Sequence, residues 1–231
     1  MQYITDMHVH TANIGSCATA QPEEAVESFI RAGITSVVIS NHLTKHSMEI
    51  CGLNFNEWQK FCDCVMEEYH RAVNAAGDRL NVILGGELRV PDNRDYLIYG
   101  LTEEKLRSYY GILDMNIHDA AAMIHESGAL IIQAHPFRDG QVITNPSYLD
   151  GIEVCNFNYK IDSRNDIARI WAEHYGLIET CGSDYHHVTS AVGGGIVTEK
   201  PIRNALELME VLKNGSYEIK AYRDERSQWV S

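Results

Sequence analysis

Apolar and polar positions follow two alternating patterns along this chain. Short apolar runs predict buried strands, and segments with apolar residues three or four positions apart predict amphipathic helices. The predicted strands begin at Tyr3 and continue with 35–40, 81–84, 96–99, 129–133, 151–155, 177–181, 196–197 and 217–222. The predicted helices are 22–32, 56–76, 103–109, 117–127, 164–175 and 202–212.

Strands and helices alternate throughout, which predicts a parallel α/β fold. The apolar strands lack a clean inward–outward alternation, as expected where helices cover both faces of a sheet. About seven strand–helix units favour a TIM-like barrel over an open sheet. Because the chain has no charge run, low-complexity segment or linker, we expect one domain over residues 1–231.

Five predicted strands end in side chains that can bind metal ions. In a parallel barrel the carboxyl ends of the strands converge on one face, where the active site is built. Side chains on one strand alternate between faces, so Asp6, His8 and His10 should point the same way. The predicted ligands are His8, His10, His42, Glu87, His135, Asp184 and His186.

Imidazole and carboxylate donors suit Zn, Mn or Fe. Seven donors exceed the need of one tetrahedral ion, which indicates at least two ions about 3.5–4 Å apart. Glu87 could bridge them, since a carboxylate has two oxygens. Five other histidines do not follow strand ends, so we do not expect them to bind metal. His70, His125 and His174 fall inside predicted helices, His118 at a helix start and His46 in a predicted loop.

The motifs Asp6-Met-His8-Val-His10, Asn41-His42, Gly86-Glu87, His135-Pro136 and Gly182-Ser183-Asp184-Tyr-His186 appear in this order. They resemble the ordered motifs of the PHP (polymerase and histidinol phosphatase) family from residue 2 to about 187. The resemblance implies a distorted (β/α)7 barrel and a phosphoesterase site with two or three metals. It implies one ion on His8, His10, Glu87 and Asp184. Further ions would be held by Glu87, His135, His42 and His186.

The sequence departs from the family pattern at three places. Residues 13–20 contain neither the Asp nor the His that many members carry, and Asn41 stands where many have Asp. Residues 96–99 also lack the fourth-strand His of several members. Two ions are therefore the preferred interpretation, and a third ion stays open.

The resemblance favours hydrolysis of a phosphate monoester on a small phosphorylated substrate. Divalent ions would bind the phosphoryl oxygens and lower the pKa of a water molecule. A His42 or His186 ring that is not a ligand could protonate the leaving oxygen. Arg138 is the best cation for a phosphate contact because its planar fork fits phosphate oxygens, and Lys45 and Arg89 are weaker candidates.

Two other functions stay open. The first is hydrolysis of a C–N bond, since the Asp6–His10 motif also occurs in amidohydrolases. Those enzymes usually carry a lysine between the metals, and no lysine follows the strands named above. The second is a metal- or nucleotide-binding module without catalysis, for which the missing ligand in residues 13–20 is the main support.

The amino-acid composition indicates which binding partners and which cellular compartment to expect. The 32 acidic and 19 basic residues give a net charge of −13, which disfavours long nucleic acid but not short nucleotides. The six cysteines show no CxxC spacing, which is typical of reduced thiols in a cytoplasmic protein. Neither a secretory signal nor an apolar run of about 18 residues is found, so we expect no membrane association.

Overall fold

The computed structural model describes residues 2–158 and 160–220 as a mixed α/β fold. The strands in this part of the chain are β1 (Tyr3–Val9), β2 (Ser36–Ile39), β3 (His42–Leu43), β4 (Asn81–Leu84), β5 (Gly86–Arg89), β6 (Asp95–Tyr99), β7 (Leu130–Gln133), β8 (Gly151–Asn156), β9 (Ile178–Gly182), β10 (Gly195–Thr198) and β11 (Glu218–Lys220). The helices are α1 (Pro22–Arg31), α2 (Lys45–Ile50), α3 (Trp58–Ala76), α4 (Glu103–Ser108), α5 (Ile117–Glu126), α6 (Asn165–Tyr175) and α7 (Ala205–Asn214).

The strands pair in two sheets. One sheet has the order β11-β10-β1-β2-β4, in which β1, β2 and β4 run parallel. The other has the order β3-β5-β6-β7-β8-β9, in which β7, β8 and β9 run parallel. The predicted α/β class is confirmed. The seven-unit barrel stays a prediction, because the strand pairing is divided between these sheets.

The carboxyl ends of β1 and β9 meet where the two sheets approach each other. A parallel bridge joins Val9 to Tyr185, and the amide of His10 donates to the carbonyl of Tyr185 at 2.9 Å. Gly182 makes this approach possible, because a Cβ there would lie 2.3 Å from Cβ of His8. The chain therefore needs glycine at the point where it brings its first and last metal-binding motifs together.

Two strand directions differ from the parallel prediction. β5 pairs antiparallel with β6, and β6 pairs antiparallel with β7. Only residues 90–94 connect β5 to β6, which is too short for the crossover that a parallel pair requires. The result is a hairpin that carries Glu87 on one strand and Asp95 at the start of the next.

Helix α3 follows its predicted amphipathic pattern. Trp58, Phe61, Cys62 and Val65 are buried in the largest apolar cluster, which confirms them as core residues, whereas Val73 is more than one-third exposed. No helix in residues 2–158 and 160–220 is long and apolar enough to cross a membrane.

Helix boundaries differ from the sequence prediction at two places. Residues 45–50 form α2, which begins after the N-cap Thr44 and contains His46, a residue predicted to lie in a loop. Helix α7 begins at Ala205 rather than at residue 202, because the Asn204 side chain caps it by accepting from the amides of Leu206 and Glu207. In the predicted strand 217–222, residues 221 and 222 lie outside the described residues.

Candidate metal centre

The predicted metal-binding side chains come together at one end of the two sheets. Each follows or ends a strand, and close contacts between imidazoles and carboxylates connect them into one cluster. His42 and His186 are partly open to solvent, whereas the other members are almost completely buried. The members are His8, His10, His42, Glu87, His135, Asp184 and His186.

The imidazole rings of His8 and His10 face each other through their Nε2 atoms. Their Nε2 atoms lie 2.9 Å apart, and both rings are buried. Oδ1 of Asp184 lies 3.5 Å from each of these nitrogens. Two imidazole nitrogens and a carboxylate oxygen at such separations form a typical ligand set for one cation.

Glu87 occupies the middle of the cluster. Oε2 lies 2.7 Å from Nδ1 of His42 and 3.5 Å from Nε2 of His10. Oε1 lies 3.2 Å from Nε2 of His135 and 3.4 Å from Nε2 of His8. Each oxygen thus faces a different pair of imidazoles, as a bridging carboxylate would.

Two members of the cluster have strained backbones. His135 has φ 29° and Asp184 has φ 49°, which are left-handed values that most residues other than glycine avoid. Such strain costs of order 1–3 kcal/mol and is retained mainly at functional sites. Each residue lies two positions beyond the end of a strand and has its side chain in the cluster.

Arg138 lies beside the cluster rather than free in solvent. One terminal nitrogen contacts Oδ2 of Asp184 and Oδ1 of Asn156, each at 2.9 Å, and lies 3.4 Å from the hydroxyl of Ser163. Its Nε atom is buried without a partner. Arg138 thus lies beside the predicted ligands, and Asp184 and Asn156 fix its orientation.

Glu153 orients His8, a role that the sequence pattern did not assign to it. Its Oε1 lies 2.9 Å from Nδ1 of His8, and its Oε2 accepts the backbone amide of His135 at 3.0 Å. Asp6, which was predicted to share a strand face with His8, does not contact the ring, because its Oδ1 accepts the backbone amides of His8 and Ser183. A charged residue within the apolar strand β8 was the available signal.

Asp95 is a second acidic residue that sequence reasoning missed. One oxygen of its carboxylate lies within 4.8 Å of ligand atoms of Glu87 and His135. The side chain is buried and is held by Arg89, whose Nε donates to Oδ1 at 2.6 Å and whose terminal nitrogen donates to Oδ2 at 2.9 Å. It begins β6, the strand that lacks the histidine of several family members.

Cys17 is the third missed residue. Its thiol lies 3.1 Å from Nε2 of His42 and also hydrogen-bonds His186. Burial alone would raise the pKa of this thiol, but the two imidazoles lower it to about 6. Nothing in the sequence around residue 17 indicated this contact, because it depends on the path of the loop.

Burial and mutual attraction control the charges in the cluster. Burial opposes charge on His8, yet Glu153, Asp184 and Glu87 raise the pKa of this ring well above its ordinary value. Burial likewise opposes charge on His42, but Glu87 raises its pKa to about 10. Burial and the neighbouring His42 and His186 hold the pKa of His10 well below its ordinary value.

The carboxylates are held ionised by the same contacts. Burial would raise the pKa of Glu87, but His8 and His42 hold it well below its ordinary value. Burial would also raise the pKa of Asp184, but His8 and His10 hold it well below its ordinary value. By contrast, burial raises the pKa of Asp6 to about 7.

Metal ions fit this donor set on structural grounds. The Nδ1 atoms of His10 and His135 are buried without a hydrogen-bond partner, which is costly for a polar group unless something binds it. Three sets, two of which share His10, each bring three ligand atoms within 4.8 Å of one another. These sets are His8, His10 and Asp184; Glu87, Asp95 and His135; and His10, His42 and His186.

The cluster opens into a cavity of about 790 Å³, a size that suits a small ligand. Basic side chains on its wall include Lys45, Arg89 and Arg138. His46 and His187 also line the cavity, and they contact Ser16 and Thr19, respectively.

Comparisons with known proteins agree with this geometry. The model of the PHP domain family matches residues 6–220. No curated protein sequence matches the chain at a significant level.

Solved structures share the fold at low sequence identity. One is a two-domain protein from Bacteroides vulgatus ATCC 8482 containing a predicted PHP-like metal-dependent phosphoesterase (TM-score 0.70, 17% identity, 96% of this chain and 65% of that one). Another is PsfC from Pseudomonas syringae PB-5123 (TM-score 0.67, 16% identity, 90% of this chain and 88% of that one). A third is the lesion-specific endonuclease Q from Pyrococcus furiosus (TM-score 0.66, 16% identity, 95% of this chain and 58% of that one).

The chain thus spans less than two thirds of the first and third of these proteins. The family match covers nearly all of the chain and includes every predicted ligand. This chain therefore belongs to the PHP domain family.

Proposed function

We propose that this protein hydrolyses phosphate monoesters of a small molecule with at least two divalent metal ions. The observation that carries the proposal is the position of Glu87, whose two oxygens face different imidazoles. That arrangement allows one carboxylate to serve two neighbouring ions, as two-metal phosphoesterases require. We also propose that the two sheets form a distorted seven-unit barrel and that residues 1–231 are one domain.

The ligand sets assign residues to each ion. His8, His10, Glu87 and Asp184 would hold the first, and Glu87 and His135 would hold the second. Asp95 would complete the second set, because one of its carboxylate oxygens lies within 4.8 Å of ligand atoms of Glu87 and His135. When bound, the ions supply Lewis-acid activation of water and neutralise charge on the phosphoryl group.

The chain's own side chains supply orientation and proton transfer. Arg138 lines the cavity with its fork fixed by Asp184 and Asn156, which suits contact with phosphate oxygens. The partly exposed His42 ring lies at the opening of the cavity and would donate a proton to the leaving oxygen when it is not itself a metal ligand. His186 lies at the same opening and is the alternative donor.

A small substrate is favoured over long nucleic acid. The cavity has the volume of a metabolite site, and the net charge of −13 repels polyanions. The similar fold of endonuclease Q, which was solved with a 27-mer duplex containing an abasic lesion, makes damaged DNA the second candidate.

The proposal is tested by turnover assays on a panel of phosphate monoesters with added Mn²⁺ or Zn²⁺. The panel includes mononucleotides, sugar phosphates and a duplex with an abasic site. We expect wild-type turnover of a monoester and at least a ~10²-fold loss in His135→Ala, because a ligand of the second ion is removed. His118→Ala changes an exposed histidine on α5 and serves as the matched control.

Undiminished activity in His135→Ala would overturn the site assignment. Cleavage of the duplex without turnover of any monoester would replace the small substrate with DNA. Metal binding by the wild type without turnover of any substrate would favour the non-catalytic module. Release of amine from amide substrates alone would favour the C–N hydrolase.

A further inference from the structure

The loop of residues 12–21 places a thiol between two imidazoles of the metal centre. Cys17 lies 3.1 Å from Nε2 of His42 and hydrogen-bonds His186, while its side chain stays open to solvent. Neither the family motifs nor the sequence pattern assigns this residue a role. Its position corresponds to the loop where many family members carry an Asp or a His.

Backbone contacts hold the loop in this position. The amides of Thr19 and Ala20 both donate to the carbonyl of His186, at 2.8 and 3.2 Å. On the other side Gly15 packs against His42, and a Cβ at this glycine would lie 2.8 Å from Cδ2 of the ring. The loop is thus fixed to both histidines, so the thiol position follows from the fold.

Both imidazoles are oriented to offer Nε2 as a ligand. Nδ1 of His42 lies 2.7 Å from Oε2 of Glu87, and Nδ1 of His186 lies 2.8 Å from the carbonyl oxygen of Asp184. A histidine whose Nδ1–H donates to an oxygen presents the lone pair of Nε2, which is the usual arrangement of metal-binding histidines. Glu87 and Asp184 thus prepare the two rings for an ion on the Cys17 side.

A second observation points to an ion at this position. His10, His42 and His186 each offer one ligand atom, and these three atoms lie within 4.8 Å of one another. Zn–S and Zn–N bonds of about 2.3 and 2.0–2.1 Å let two ligand atoms of one ion lie up to about 4.4 Å apart. The 3.1 Å between Cys17 and His42 is within that limit.

We propose that Cys17 binds a third divalent ion as a thiolate, together with Nε2 of His42 and Nε2 of His186. Binding breaks the S–H bond, forms a metal–sulfur bond and releases the proton to solvent. Because thiolate is a soft donor, this position selects Zn²⁺ over Mn²⁺. The inference rests on the proposed metal-dependent function and assigns to this chain a ligand at the position where the family pattern is missing.

The test is cobalt substitution followed by absorption spectroscopy. Purified protein is stripped of metal and titrated with Co²⁺ alone, and the near-ultraviolet charge-transfer band of a cobalt–thiolate bond is recorded. We expect this band in the wild type and its loss in Cys17→Ser. Cys51→Ser, which changes a half-buried cysteine on another element, is the matched control and should keep the band.

Two further measurements complete the design. Zinc content measured by elemental analysis should fall by about one equivalent per chain in Cys17→Ser and recover in Cys17→His, which restores a ligand of the usual type. In the wild type, Zn²⁺ should slow alkylation of Cys17 at least ~10-fold, as followed by peptide mass spectrometry, whereas saturating Mn²⁺ should not.

The outcomes separate this inference from the proposed function. Absence of any bound Co²⁺ or Zn²⁺ in the wild type would overturn both proposals. Wild-type metal binding without the cobalt–thiolate band, with equal zinc content in Cys17→Ser, would overturn the Cys17 assignment and leave the two-ion site intact. Loss of the band in Cys51→Ser as well would also overturn the assignment to Cys17.

Discussion

Nδ1 of His8 lies 2.9 Å from Oε1 of Glu153, and both side chains are completely buried. This contact determines which nitrogen of His8 faces the candidate ion. If Nδ1–H donates to the carboxylate, the lone pair of Nε2 points toward His10 and Asp184. Glu153 thus controls the metal centre from a strand that contributes no ligand.

Glu153→Gln is expected to weaken metal binding about 10–100-fold, because an amide can donate to Nδ1 of His8 and reverse its tautomer. The measurement is a competition titration of Zn²⁺ against a fluorescent chelator. Glu179→Gln, on the neighbouring strand β9, is the control and should bind like the wild type. Equal affinity in Glu153→Gln would show that the carboxylate does not set the His8 tautomer.

Removal of bound metal is expected to lower the melting temperature. A ligand at about 100 times its Kd stabilises the folded state by about 2.7 kcal/mol, which corresponds to about 5–10 °C for a chain of this length. Thermal unfolding with Zn²⁺ and with excess chelator measures the difference.

The double variant His8→Ala, His10→Ala is the control for that measurement, because two of the four proposed ligands of the first ion are lost. Its melting temperature should change much less between metal and chelator. A wild-type melting temperature that is the same in both conditions would contradict a metal-stabilised centre.

Much of the site could be predicted because its geometry follows strand ends. His8 and His10 share one face through the period of two along a strand, and Glu87 and Asp184 follow strands whose ends meet. The prediction relied on parallel strands whose carboxyl ends converge. The antiparallel pairs on either side of β6 do not separate the predicted ligands, because Oε1 of Glu87 still lies 3.2 Å from Nε2 of His135.

The remaining residues depend on contacts that no local pattern encodes. The contact of Glu153 with His8 spans 145 positions in the sequence, and Cys17 reaches His42 through the path of an irregular loop. Asp95 reaches the cluster because the short link 90–94 turns β6 back along β5, which the sequence pattern treated as separate parallel strands. The omissions of Asp95 and Cys17 thus come from chain direction and loop path, whereas Glu153 was missed although its charge within the apolar strand β8 was a signal.

Arg138→Lys is expected to reduce kcat/KM about 10–100-fold on a phosphate monoester, mainly through a higher KM. Lysine keeps the charge but loses the planar fork, and a hydrogen bond to a charged group contributes about 1.5–3 kcal/mol. Steady-state kinetics with saturating metal measures the effect. Arg79→Lys, which changes a surface arginine paired with Glu27, should leave kcat/KM and KM unchanged.

A change confined to kcat in Arg138→Lys, with KM unaltered, would contradict a role in substrate binding. Zinc affinity of the variant is measured in parallel, because Arg138 also contacts Asp184. A lowered metal affinity would assign the loss to the ligand rather than to the phosphate.

The pH dependence of stability should report on Glu68, away from the metal centre. Burial raises the pKa of this carboxyl above its ordinary value of 4.5, although Asn13 and Arg71 donate to Oε1. Its Oε2 is buried without a partner. The folded state therefore binds a proton that the unfolded chain releases, so this group's contribution is complete below pH 4.5 and is lost as the pH rises through the folded pKa.

Glu68→Gln replaces the carboxyl with a neutral group of the same shape and should remove this dependence. Urea unfolding of chelator-treated protein between pH 4.5 and about pH 7 gives the free energy of unfolding of both forms. We expect the wild type to lose stability relative to Glu68→Gln as the pH rises, because only the wild type must ionise a buried carboxyl. Glu67→Gln, at the exposed neighbouring position on α3, should follow the wild-type pH dependence. Parallel curves for the wild type and Glu68→Gln would show that Glu68 ionises in the folded state as it does in the unfolded chain.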